Sequence, residues 1–408
     1  MISINNIQTV ENKRQNIEIA SNQQITIEAS HLLLLPGLID PHVHFRTPGL
    51  EYKEDWKTAA KASIKGGYTT VFDMPNTLPP TVTQIALKEK KALIEAQLKE
   101  AKIPLRYHLF FGADKHHLNE ISKVKGQVIG IKVFMGCSTG GLVIDDDESL
   151  QAIFKIAAKE NMLVAVHAKD EYRLKENAKK NNGLLNYAIH SKIRDETAAA
   201  IAVKKAIQLV RLYGTRLYIL HTSTRQEIDL IAQAKEEGLP VFAETTPHHL
   251  FLNINDYASL KGKAVMNPPL RSIEHQDALF KAIKSGIIDT IGSDHAPHTL
   301  EEKARPYGSC PSGVPGIETT LPLLIEAYHQ GLLSLKNIVD LTSRRAKEIF
   351  QLPDYADDYV LVDLSLARRV EEKQLKTKCQ WSPFTGRLLR GWPVIIVLKN
   401  HVYDLARL

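Results

Sequence analysis

Eight short apolar runs, each followed by a loop and a charged segment of helical length, set the strongest limit on how this chain folds. They fall at 33–40 (LLLPGLID), 68–73 (YTTVFD), 105–111 (LRYHLFF), 128–134 (VIGIKVF), 162–167 (MLVAVH), 217–221 (LYILH), 240–244 (PVFAE) and 288–293 (IDTIGS). The segments between them, such as 148–160 and 225–237, carry apolar residues at helical spacing. Strands buried on both faces read as continuous apolar runs, and alternation with helices implies a parallel sheet. Eight such units predict an α/β fold, a distorted TIM (β/α)8 barrel, with a doubly wound sheet as the alternative.

The ends have a different texture. Residues 1–36 contain strand-like pieces (NIEIA, QITIEA), and so do residues 351–408 (DYVLVDL, PVIIVL, HVYDL). Neither end has enough apolar residues to fold alone, which predicts a small β-sandwich domain built from both termini around a barrel spanning 37–350. With 408 residues the chain can bury a large core without staples. Its three cysteines, Cys137, Cys310 and Cys379, form no CxxC pair and no disulfide framework, which fits a reducing cytoplasm. The net charge of +6 is spread along the chain, so no nucleic-acid partner is expected. The apolar runs are too short for a membrane helix, so no membrane partner is expected either.

The ionisable residues that end the apolar runs carry the chemistry. His42 and His44, at i and i+2 on a strand, point to one face. His167 and His221 each end an apolar run, Asp294 follows another, and Lys132 sits inside VIGIKVF. A TIM barrel gathers the C-terminal ends of its strands at one rim. Four imidazoles and a carboxylate gathered there suit Zn²⁺ or a related divalent ion. An ammonium cannot ligate a metal. Lys132 is therefore either converted by CO2 into a carbamate that bridges two ions, or a charged group that binds an anionic substrate.

Seven motifs make the reading specific: DPHVHFR (40–46), DMPNT (73–77), IKVFMG (131–136), HTST (221–224), TTPHHL (245–250), MNPPLR (266–271) and SDHAPH (293–298). In these the chain resembles the dihydroorotase family, of the cyclic amidohydrolase branch of the amidohydrolase superfamily. The resemblance implies a distorted barrel flanked by a β-sandwich. It also implies two divalent metal ions, Zn²⁺ by preference. His42, His44 and Asp294 would hold the first, His167 and His221 the second, and a CO2-derived carbamate on Lys132 would bridge them. The implied reaction is the reversible, metal-assisted cyclisation of N-carbamoyl-L-aspartate to L-dihydroorotate and water. A hydroxide bridging the ions is the expected nucleophile in the hydrolytic direction, and Asp294 the catalytic acid and base.

Carried over position by position, Arg46, Asn76 and His298 would bind the substrate carboxylate. Asn267 and the backbone of Ser312 and Gly313 would contact the ring. Allantoinase-like relatives carry Asn at the place of Arg46, and hydantoinase-like relatives also lack the Arg. Those cyclic amidohydrolases, and a non-catalytic subunit of an aspartate transcarbamoylase assembly, are the rival readings; the second typically loses metal ligands that this chain keeps. A homodimer is a family-level expectation. Ser138-Thr139-Gly140-Gly141 lacks the GK[ST] ending of a phosphate loop. Cys137 reads as a packed loop residue, while His116-His117 and His248-His249 read as supporting or surface residues.

Overall fold

The run 33–40, expected as one strand entering the barrel, is two strands that serve different sheets. In this computed structural model, which describes residues 1–136, 142–183 and 186–408, the break falls at Gly37. Its N–H donates to Asp358 O at 2.7 Å, and a Cβ there would lie 2.5 Å from Thr69 Oγ1, so no larger residue fits. Before the break come β1 (Ile2–Gln8), β2 (Arg14–Ile19), β3 (Ile25–Glu28) and β4 (Leu33–Pro36). After it come β5 (Leu38–Val43), β6 (Tyr68–Asp73), β7 (Arg106–Gly112), β8 (Gly130–Phe134), β9 (Val164–His167), β10 (Leu217–Ile219), β11 (Val241–Thr245) and β12 (Thr290–Ile291). Cys137 and Ser138-Thr139-Gly140-Gly141 lie outside the described residues.

Strands β5 to β12 pair in sequence order, each parallel to the last, as a nearly closed barrel. The two end strands are tied by a parallel bridge between Val43 and His295, and His44 N donates to His295 O at 2.9 Å. This tie sits beside the chemistry-bearing residues. At the opposite end the barrel is plugged by Phe350, whose ring meets Phe72 at 4.8 Å, Tyr218 at 5.0 Å and Phe110 at 6.2 Å, all edge-on. The surrounding helices follow local signals. Asp147–Lys159 is capped by Asp146, and Arg225–Glu236 starts with a capping box between Thr224 and Glu227.

The terminal strands form one curled seven-stranded sheet, built from both ends of the chain as expected. β13 (Tyr359–Arg369), β14 (Leu388–Leu398) and β15 (His401–Asp404) extend it, in the order β15-β14-β13-β4-β1-β2 with β3 alongside β1. The antiparallel pairing of Leu33–Pro36 with Tyr359–Val362 joins the two ends of the chain. No helix among the described residues is long and apolar enough to cross a membrane.

Candidate metal centre

His42 stands at the end of β5 and His44 just past it, with both rings buried. Each ring is held from behind. His42 Nδ1 donates to Glu244 Oε1 at 2.8 Å, and His44 Nδ1 donates to Asn76 Oδ1 at 2.8 Å, since both acceptors are oxygens without hydrogens. That fixes the tautomer and leaves the two Nε2 lone pairs facing Asp294 Oδ1, at 3.3 and 3.2 Å. These three groups form a compact cluster able to hold an ion.

His167 ends β9, and His221 stands just past β10. His167 Nδ1 and His221 Nε2 approach to 2.8 Å, while the other nitrogen of each ring is buried without a hydrogen-bond partner among the described residues. Both rings turn one nitrogen toward a common point, a contact that a divalent cation satisfies. Burial pushes both imidazoles well below their ordinary pKa, and pushes His44 down to about 3 against the pull of Asp294. Burial raises the Asp294 carboxyl, but His42 and His44 overcome this and hold it below the usual carboxylate range. Neutral imidazoles and an ionised carboxylate are the forms that bind metal, so the donor set fits.

Lys132, in the middle of β8, is 1% exposed, with Nζ 4.6 Å from the centre of the Phe134 ring. Burial lowers its pKa to about 7, with Asp294 and Glu244 opposing. A substantial fraction is thus the free amine at neutral pH, the form that reacts with CO2.

Arg46, Asn76, Asn267, Ser312 and Gly313 line the same cavity as the metal-side residues; His298 does not. The Arg46 guanidinium is buried, with Nε donating to Pro297 O at 3.2 Å. His298 stands behind it. Its Nε2 donates to Ser312 O at 3.0 Å and its Nδ1 accepts from Lys53 Nζ at 3.0 Å, so both nitrogens are engaged within the protein. Asn76, expected at the substrate carboxylate, has its carbonyl oxygen committed to His44.

Several supporting residues were not singled out in the sequence. Glu244 ends β11's PVFAE run as His167 and His221 end theirs, so the same signal marked it. Its Oε1 also accepts from His221 N at 3.2 Å, and its Oε2 from the Tyr218 hydroxyl at 2.9 Å. Asp40 accepts from the backbone N–H groups of His42 and Ser293, fixing the strand ends that carry His42 and Asp294. His190 donates to Met266 O and Asn267 Oδ1, and nothing in the sequence marks it. His248 and His249 are buried, so the surface alternative does not hold for them.

Comparison with known proteins agrees with this geometry. The model of the amidohydrolase family matches residues 33–357. A dihydroorotase of Halobacterium salinarum is 37% identical over 91% of this chain and 86% of its own length. One from Carboxydothermus hydrogenoformans is 33% identical over 94% and 90%. Among solved structures, an L-hydantoinase (dihydropyrimidinase) from Arthrobacter aurescens superposes with a TM-score of 0.93 at 26% identity, covering 99% of this chain and 96% of its own. A dihydropyrimidinase from Brevibacillus agri gives 0.87 at 28%, covering 98% and 94%. With a family match spanning most of its length and relatives above 30% identity over nine-tenths of it, the chain belongs to the amidohydrolase superfamily and, within it, to the dihydroorotases.

Proposed function

We propose that the protein interconverts N-carbamoyl-L-aspartate and L-dihydroorotate at this cavity. The observation that carries the reading is the buried Arg46 guanidinium in the same cavity as the imidazole and carboxylate cluster. A guanidinium fork holds a carboxylate bidentately, and dihydroorotate carries one on its ring. In this reading His42, His44 and Asp294 would hold one divalent ion and His167 and His221 a second, with Lys132, once carbamylated, supplying a further anionic ligand, zinc being the proposed metal. When bound, the two ions would polarise the ring carbonyl and lower the pKa of a water towards ~7.

The chain's own residues do the rest. Arg46 anchors the carboxylate, Asn267 and the Ser312-Gly313 backbone bear on the ring, and Asn76 keeps His44 turned inward. Asp294 takes the proton of the attacking water and delivers it to the ring nitrogen as the carbon–nitrogen bond opens. In the cyclising direction it receives the proton lost by the ureido nitrogen. Holding both reacting groups in one pose supplies much of the acceleration. His298 acts through Ser312 and Arg46 rather than directly. In this proposal 37–350 is the catalytic barrel, and 1–36 with 351–408 its flanking β domain.

The test is ring opening of L-dihydroorotate by metal-reconstituted protein, followed by ultraviolet absorbance, with a chelated control. Turnover that disappears on chelation is expected. No turnover with two ions bound would transfer the reading to a hydantoinase-like substrate, which the structural likeness favours as the second choice.

A further inference from the structure

Lys303 is 2% exposed and its ammonium is fully engaged. Nζ donates to three backbone carbonyls: Val265 O at 2.9 Å, Pro311 O at 2.8 Å and Gly313 O at 2.9 Å. The carbonyl between the last two, Ser312 O, is taken by His298 Nε2. Three successive carbonyls, 311 to 313, are thus captured by two side chains of the 298–303 segment. The Gly313 N–H donates to Val265 O, joining this strip to the backbone two residues before Asn267. Gly313 has φ +136°, and a Cβ there would lie 2.6 Å from Ala296 O, so the strip runs close against the 296 backbone and admits no side chain at 313.

Peptide planarity gives the consequence. In a trans peptide the N–H points opposite to the carbonyl of the same unit. Capture of Pro311 O therefore turns the Ser312 N–H away from Lys303, and it is Ser312 and Gly313 that line the cavity. We infer that Lys303 is a positioning residue, whose three-way grip on Val265, Pro311 and Gly313 sets the ring-contacting backbone in register for substrate. This rests on the proposed reading that Ser312, Gly313 and Asn267 bear on the ring.

The grip needs three N–H donors, which only the protonated amine has. Burial lowers the Lys303 pKa to about 8, so the third donor is lost within an accessible range. The groups facing it do not switch there. Burial keeps the Cys310 thiol above its ordinary value. Burial raises Glu302, but His298 and Lys53 outweigh this and hold it ionised. Arg46 and Lys53 add positive charge, and the Trp381 ring lies 5.9 Å away.

The experiment is a steady-state pH series on wild type, Lys303→Met and Lys303→Gln, with bound metal counted for each. The substrate is dihydroorotate or, should the wild type open another cyclic amide instead, that one, so failure of the dihydroorotate reading leaves this readout intact. Expected are a wild-type KM that climbs above pH 8, and a Lys303→Met KM raised roughly tenfold or more at pH 7, from the loss of charge-assisted hydrogen bonds. The Met variant should keep its metal and lose the alkaline rise in KM, with Lys303→Gln intermediate. Should Met or Gln fail to fold, the wild-type KM profile still decides. A wild-type KM flat from pH 7 to 9, or a folded Lys303→Met with wild-type KM, overturns the inference.

Discussion

Glu244→Gln isolates what a buried carboxylate contributes to a metal centre it does not touch. The side chain is fully buried and accepts from His42 Nδ1, His221 N and the Tyr218 hydroxyl. Glutamine keeps the shape. Its oxygen can still accept from His42 and His221. Its amide can donate to Tyr218, whose proton then goes to Thr290 Oγ1, 2.6 Å away. What is lost is the charge on the acceptor of the His42 hydrogen bond. Hydrogen bonds to charged groups contribute roughly 1.5–3 kcal/mol against 0.5–1.5 for neutral ones, so the loss is about 1–1.5 kcal/mol, close to tenfold in metal affinity. That lies at the low end of the ~10–100-fold cost of removing such supporting groups. Competition against a chromophoric chelator reads it directly, with thermal unfolding of the metal-free proteins as the control. The metal-free Gln variant should be at least as stable as wild type, because a neutral group replaces a buried carboxylate. A Gln variant that binds metal with wild-type affinity would refute the account of His42 given above.

The other expectations are briefer. Arg46→Lys replaces a planar fork with a point charge, so KM for dihydroorotate should rise by roughly tenfold or more with the metals retained; loss of metal with unchanged KM would assign Arg46 elsewhere. Lys132→Ala should lose most activity and part of its bound metal, and regain some activity with short carboxylic acids; normal activity with two ions would remove the carbamate from the scheme. Glu318, which accepts from the backbone of Lys376 and Thr377, is raised by burial from its ordinary 4.5 to about 7, with Glu54 adding to the rise. The folded state therefore holds the extra proton between pH 4.5 and 7, and stability from this group falls as pH rises through that window. At about 1.4 kcal/mol per pH unit the cost above pH 7 is at most about 3.5 kcal/mol. Glu318→Gln should be more stable than wild type at pH 8 by denaturant unfolding and close to it at pH 4.5; an equal gain at both would mean that charge is not the cause.

The candidate ligands gathered at the rim were legible because a parallel barrel strand has one informative end. An apolar run that terminates in His or Asp announces both its burial and its exit at the rim, and the i, i+2 spacing of His42 and His44 fixes a common face. Other features have no such signature. The break at Gly37 is hidden because LLLPGLI carries no charged or hydrogen-bonding side chain, and the close approach of Thr69 and Asp358 is what requires it. The strand order of the terminal sheet could not be read, because its pairing joins segments more than 300 residues apart. Lys303 could not be read at all, since its partners are backbone carbonyls, which every residue possesses. His298 was identified by its motif but not by its contacts, and those contacts place it behind Arg46 rather than in the cavity.

Backbone conformation adds a constraint that no composition argument reaches. Arg46, His221 and Asp294 all sit at positive φ, 64°, 39° and 45°. For residues with a Cβ this region is sparsely populated, and each instance costs on the order of 1–3 kcal/mol unless the surroundings impose it. All three lie where a strand ends and the chain turns into a loop at the rim, and all three line one cavity. Extended φ at these positions would continue the strand and carry the side chain onward with it. The left-handed turn instead folds Asp294 back onto His42 and His44, and brings His221 against His167. The barrel ladder and the His44–His295 backbone bond hold the flanking residues, so the strain is stored rather than relaxed. Glycine at any of the three would relieve the strain but delete the side chain that the turn directs into the cavity.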